Sequence, residues 1–165
     1  MKLNQILLPL LLVVVGNLAC KTDTPMAEDK PIKLDSTSLD NSPLTDRSSN
    51  RLRIRIGSNT FSATLLSNAT VTAFKAKLPI TLFMKELNRN EKFADLPSSL
   101  PTNAANPDTI QMGDLMLYGT NTLVLFYETV RTSYSYTKLG RIDNPTALAA
   151  ALGSGNITVT LEMEL

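Results

Sequence analysis

Ile157-Thr158-Val159-Thr160-Leu161-Glu162-Met163-Glu164-Leu165 carries an apolar side chain at every odd position and a polar one at every even position. Successive side chains of an extended backbone point to opposite faces, so this pattern is a strand with one buried and one wet face. The same alternation opens at Arg51-Leu52-Arg53-Ile54-Arg55-Ile56. It breaks at the turn residues Gly57-Ser58-Asn59 and resumes from Thr60 to Leu65 with Phe61, Ala63 and Leu65 on one side. Those residues form a hairpin that buries one face. Two one-sided strands at opposite ends of residues 51–165 satisfy each other by pairing, which closes a sheet on itself. Arg51, Arg53 and Arg55 share the outer face, either as an anion site or, more simply, as charges guarding an exposed strand.

Between these ends the pattern is mostly of strands. Asn68 is placed to cap a helix in which Val71, Phe74 and Leu78 fall at i, i+3 and i+7 before Pro79 stops it. Ile80 to Met84 reads as a short strand. Lys85 to Asp108 is polar and proline-bearing and reads as a long loop, with Phe93-Ala94-Asp95-Leu96-Pro97 packed locally; a loop of that length is a candidate binding rim. Asp114 to Tyr118 and Thr122 to Tyr127 read as strands joined through Gly119-Thr120-Asn121, followed by Tyr134 to Tyr136 and Lys138 to Ile142. Asp143-Asn144-Pro145 then starts a second helix, with Leu148 and Leu152 inward and Gly153 at its end. Seven or eight short strands and two short helices make a mainly β protein. The expectation is a closed eight-stranded barrel with helices over its open ends, a split α+β sandwich fitting less well.

Residues 51–165 hold all nine aromatic residues of the chain and form the domain. Residues 21–50 contain no aromatic residue and no Gly, with four basic and six acidic side chains, and read as a disordered tether. Residues 1–20 read as a secretory signal: Lys2 is its only charge, and Ile6 to Val15 is a ten-residue apolar run, too short to span a bilayer. Gly16-Asn17-Leu18-Ala19-Cys20 follows, small residues leading into the only cysteine. This resembles a bacterial lipoprotein signal, with Asn17 where the usual motif has Leu. The resemblance implies lipidation of Cys20 and a domain anchored to a membrane of the bacterial cell envelope. An ordinary cleaved signal with an incidental cysteine is the alternative.

Composition excludes more chemistry than it suggests. Among 165 residues, Lys+Arg is 16 and Asp+Glu is 15, a net charge of +1, so no concentrated positive face points to nucleic acid. The absence of His removes Ser-His-Asp and Cys-His pairs and the H-E-x-x-H zinc helix. One Cys excludes an internal disulfide and a cysteine-held cluster. No phosphate or dinucleotide cradle is present, and Asp95, Asp108, Asp114 and Asp143 do not stand at calcium-loop spacing. No cofactor and no metal are expected, and a monomer is.

Several runs taken in order carry a further resemblance. They are the Arg-Ile-Arg-Ile opening, the Asn68-to-Pro79 helix ending in Leu78-Pro79-Ile80-Thr81-Leu82, and Phe93-Ala94-Asp95-Leu96-Pro97. Gly113-Asp114-Leu115, Leu123-Val124-Leu125-Phe126-Tyr127 and Lys138-Leu139-Gly140-Arg141-Ile142 complete the set. Together they are similar to the bacterial cyclophilin-like domain family across most of residues 51–165. The resemblance implies an eight-stranded barrel with two capping helices, shaped like the peptidyl-prolyl isomerases, and no particular activity. Cyclophilin grooves use an Arg, a Gln, apolar and aromatic walls, a Trp and a His, and the last two have no counterpart here. Gln111-Met112-Gly113-Asp114 is similar to the cyclophilin Gln-Gly-Gly-Asp run, with the glycine pair broken by Met112 and no Phe-His-Arg before it. Arg141 is chemically suited to polarise an amide, or is simply an arginine bonded to backbone carbonyls at a strand end. Tyr118, Phe126, Tyr127, Tyr134 and Tyr136 are available as groove walls or as half-buried packing, and Phe126 and Tyr127 must face opposite ways. The expected groove is Tyr118, Tyr134, Arg141 and Gln111, on a non-enzymatic module that binds a peptide or small ligand. A divergent prolyl isomerase using Arg141 and an accessory subunit docking through residues 85–108 are the alternatives.

Overall fold

The computed structural model describes residues 50–164; the expected signal over residues 1–20, with Cys20, and the expected tether up to residue 49 lie outside the described residues. The alternating stretch at the C-terminus is β10 (Ile157–Met163), and it pairs antiparallel with β1 (Arg51–Ile56), placing Ile54 opposite Leu161 and Ile56 opposite Val159. β1 also pairs with β2 (Asn59–Leu65), so the first and last strands lie side by side and seal the ring. The other barrel strands are β3 (Ile80–Leu87), β4 (Glu91–Asp95), β6 (Asp114–Tyr118), β7 (Thr122–Phe126) and β9 (Tyr136–Ile142). The closed order is β1-β10-β3-β4-β7-β6-β9-β2, eight strands in all. Its interior is filled by the inward residues Leu52, Ile54, Phe61, Leu65, Leu82, Met84, Leu115, Leu117, Leu139, Val159 and Leu161.

Closure alters the expected role of the arginine face. β1 has a partner on both sides, so its arginines guard no exposed edge. They pair instead with acids across the seam: Arg51 with Asp143 at 2.6 Å and Glu164 at 3.3 Å, and Arg53 with Glu162 at 3.4 Å. Partly exposed pairs of this kind contribute about 0–1 kcal/mol each and serve mainly register. Asp143 is therefore a partner of Arg51 and of the Thr64 hydroxyl, 2.7 Å away, and not the start of the second helix.

The expected loop over residues 85–108 is half sheet. β3 runs on to Leu87, Asn88 and Arg89 turn the chain with φ of 55° and 59°, and β4 returns beside it with Glu86 opposite Lys92. The alternation was concealed because the two inward positions carry charge. Lys92 is fully buried inside the barrel end and pairs with Glu86, so a polar reading of the segment takes them for solvated residues. From Leu96 onward the chain is mostly irregular, tied down by Leu96 N–H donating to Asn121 O and Leu100 N–H to Thr120 O, both at 2.8 Å.

Helix α1 (Ala69–Lys75) begins as expected, with the Asn68 side chain accepting from Val71 N–H at 2.8 Å, but ends before Leu78. Helix α2 (Leu148–Leu152) is a single turn that buries Leu148 and Leu152 and stops at Gly153, φ 60°. The two expected strands 134–136 and 138–142 are one strand, β9, and Tyr134 precedes it. A two-stranded sheet of β5 (Thr109–Ile110) and β8 (Val130–Arg131), absent from the sequence reading, lies outside the barrel. There Ile110 joins Met116, Val124 and Phe126 in a second apolar cluster, with Phe93, Val130 and Tyr136 packed on it. β6 and β7 are thus covered on both faces, which is why they read as continuous apolar runs.

Candidate functional site

The outward positions of four adjacent strands build a cleft beside this second cluster. β4 supplies Glu91, Phe93 and Asp95, β7 supplies Thr122, Val124 and Phe126, and β6 and β9 supply Tyr118 and Tyr136. Register brings Phe93 opposite Val124 and Tyr118 opposite Tyr136, so the aromatic rings share one surface. The β3–β4 turn contributes Asn88 and Asn90, while β8 and the residues after it contribute Arg131, Thr132 and Tyr134. The enclosed volume is about 580 Å³, within the range typical of small-ligand sites.

The rings stand at steep angles to each other. Tyr118 and Tyr134 meet edge to face at 6.1 Å and 88°, Phe126 and Tyr136 at 5.7 Å and 82°, and Tyr118 tilts 50° to Tyr136 at 5.4 Å. Tyr118 is 45% and Tyr134 62% exposed, two of the few large apolar side chains that the barrel leaves uncovered. Among the acids, Asp95 accepts from the Thr122 hydroxyl at 2.7 Å. Glu91 has no ion pair within 4.0 Å among the described residues. Burial, and then the nearby charge of Glu86, pushes its carboxyl above the usual glutamate range. The Tyr136 hydroxyl is raised as well, first by burial and then by Glu91. Asn90, in the same lining, keeps its Oδ1 buried without a donor.

The structure brings Tyr118 and Tyr134 together and separates them from Gln111 and Arg141. Arg141 is opposite Asp114 at the start of β6, whereas Tyr118 ends that strand, about 13 Å away at ~3.3 Å per residue. Gln111 lines a separate hollow of about 290 Å³ with Asp114, Met116 and Lys138. Asp114 organises that end: its side chain is buried, its Oδ2 accepts from Gln111 N–H at 3.1 Å, and Lys138 Nζ and Arg141 Nε stand 2.8 and 3.9 Å from its Oδ1. The guanidinium in the aromatic cleft is that of Arg131. Sequence reasoning missed both Arg131 and Glu91. The first sits on a two-residue strand and the second in the segment read as loop, where only the Glu91-Lys92-Phe93-Ala94 alternation could have signalled a strand.

Phe126 and Tyr127 face opposite ways as expected, and both are buried. Tyr127 belongs to a polar plug inside the barrel end. Its hydroxyl is 2.9 Å from each Glu86 oxygen, and Lys92 Nζ, 5.3 Å from the Tyr127 ring centre, pairs with Glu86 and donates to Gly153 O and Gly155 O at 2.8 and 2.6 Å. Burial and the bond to Glu86 push the Tyr127 hydroxyl up to about 12. Burial works to raise Glu86 too, but hydrogen bonds from Lys92, Tyr127 and Arg89 N–H outweigh it and hold the carboxyl below the ordinary range. No group of three metal-ligating acids or cysteines occurs among the described residues.

A family model described as the cyclophilin-like family matches residues 54–162, which includes every strand of the cleft. The solution structure of the hypothetical protein AF2241 from Archaeoglobus fulgidus is similar, with a TM-score of 0.54 at 22% identity, over 69% of this chain and 94% of that one. At that identity the likeness is one of fold. No curated protein matches.

Proposed function

Because the chain belongs to the cyclophilin-like family, we propose that its barrel is a binding module that takes a peptide segment or small ligand in the aromatic cleft, tethered through a lipid on Cys20 to a membrane of the bacterial cell envelope. The observation that carries the binding role is the exposure of Tyr118 and Tyr134 over a 580 Å³ cleft. A barrel serving only as structure fills such a hollow with its own side chains, whereas here two large rings stand half uncovered in a cleft where the buried Oδ1 of Asn90 lacks a donor. The anchor rests on the position of Cys20, which follows the short apolar run after Gly16-Asn17-Leu18-Ala19. Among the described residues no helix is long and apolar enough to cross a membrane. Cys20→Ala is expected to move the full chain from the membrane to the soluble fraction, and an unchanged distribution refutes the anchor.

Divergent prolyl isomerisation is the second reading, favoured by the presence of Arg131 beside the apolar wall of the cleft. Its guanidinium would polarise a twisting amide bound there, the role for which Arg141 is also chemically suited. A protease-coupled assay of the full chain on a proline-containing peptide anilide separates the readings. A rate equal to the uncatalysed one supports binding alone. Acceleration that disappears in Arg131→Ala or Arg141→Ala establishes the isomerase and identifies its arginine.

A further inference from the structure

The cleft has a sign as well as a shape. Glu91 enters it half-buried, with no counter-ion within 4.0 Å among the described residues, although Arg131 lines the same cleft. Asp95, which accepts from the Thr122 hydroxyl, adds a second carboxylate, and the buried Oδ1 of Asn90 has no donor. Around these acceptors stand the rings of Tyr118, Tyr134 and Tyr136, all three lining the cleft. The face of an aromatic ring is its negative pole, and several rings lining one cavity can attract a cation. Retaining a half-buried carboxylate without a partner is unfavourable in the free protein, and a bound cation removes that penalty.

We propose that the cleft is a receptor for an organic ammonium group, with the rings of Tyr118, Tyr134 and Tyr136 as its walls and the Glu91 carboxylate as counter-ion. The inference rests on the reading of the cleft as a binding site and names the chemistry of what enters it. A quaternary ammonium suits this lining better than an inorganic ion, because rings can replace its weak hydration shell and cannot replace that of a strongly hydrated metal ion. A lysine ammonium, more strongly hydrated, depends more on the carboxylate. The ammonium comes either from a free small molecule or from the end of a lysine side chain in a peptide.

Tyrosine emission reads the site directly, since the chain has no Trp and three of its four Tyr line the cleft. The purified full chain is titrated with choline, with its neutral isostere 3,3-dimethylbutan-1-ol, and with Nα-acetyl-lysine amide. Choline or the lysine derivative is expected to bind about tenfold or more tighter than the neutral isostere. Whichever of the two is tighter identifies the source as a free quaternary ammonium compound or a peptide side chain. Glu91→Gln and Tyr134→Ala should each reduce that preference severalfold; Tyr134 is largely exposed, so its replacement leaves folding intact. Binding of both choline and the lysine derivative no tighter than that of the neutral isostere, or an unchanged preference in Glu91→Gln, overturns the ammonium assignment and leaves the cleft as an apolar binding site. Failure of all three probes to alter tyrosine emission overturns both.

Discussion

Lys92→Met removes one ammonium from inside the barrel and keeps most of the length and volume of the side chain. The native Nζ is fully buried and serves Glu86 and the carbonyls of Gly153 and Gly155 at once, so it joins β3, β4 and the loop after α2. Removing one partner of a buried pair costs about 3–5 kcal/mol, chiefly for the charge left behind. The lower end applies here. The Glu86 side chain is 18% exposed and keeps its bonds from Tyr127 and Arg89 N–H, and the two glycines are exposed, so water can reach their carbonyls. A loss of about 3 kcal/mol in a domain of this size lowers the melting temperature by about 12 °C, at ~4 °C per kcal/mol. Glu86→Gln added to Lys92→Met takes away the stranded charge and should recover more than half of that loss, which a double-mutant cycle by calorimetry measures. The wild-type protein also acquires an acid sensitivity from this pair. The folded-state pKa of Glu86 is depressed, so its contribution is fully present above the unfolded value of about 4.3 and is lost as pH falls through the folded one. Stability should drop below about pH 4, and drop less steeply in Lys92→Met. A melting temperature for Lys92→Met within about 2 °C of wild type, or strictly additive single and double variants, would refute the reasoning.

Gly140→Ala places a Cβ 2.4 Å from the backbone oxygen of Thr64 and 3.0 Å from Leu65 Cα, where β9 passes β2. Backbone cannot yield as a side chain does, so a loss of about 3 kcal/mol is expected in urea denaturation. Asn68→Ala removes the acceptor of Val71 N–H at the start of α1 and should cost about 1 kcal/mol by the same measurement. Glu91→Gln should raise the melting temperature at pH 7 by a few degrees and leave it nearly unchanged at pH 4. The folded-state pKa of Glu91 is raised, so stability is full below the unfolded value and declines as pH climbs through the folded one. Alkaline spectrophotometric titration should show Tyr127 ionising near 12, and Glu86→Gln should bring it down.

The barrel was legible in the sequence because each of its terminal strands has one apolar face and nothing else to cover it. Leu52, Ile54 and Ile56 against Val159 and Leu161 leave pairing of the two ends as the economical solution, and the register does bring them together. The N-cap at Asn68 was equally readable, since capping depends on atoms three residues apart. β4 was not, because Lys92 and Glu86 face inward and satisfy each other there, an arrangement that reads as solvent exposure until both strands are in place.

Half of the expected groove held together and half did not, for a related reason. Tyr118 and Tyr134 meet in one cleft, while Gln111 and Arg141 gather around Asp114 at the other end of β6. Strand periodicity assigns a residue to a face, and it leaves position along the strand open, because that depends on the register of neighbours far away in sequence. By itself the sequence determined what local periodicity and one-sided burial determine: a mainly β barrel whose strands run from Arg51 to Met163, its turns and first cap, and the pairing of its ends. The tertiary structure alone decided which outward residues became neighbours, and so joined Glu91 and Arg131 to three tyrosines from other segments. That follows from the shear of a closed barrel, which is set by all eight strands together and written in none of them singly.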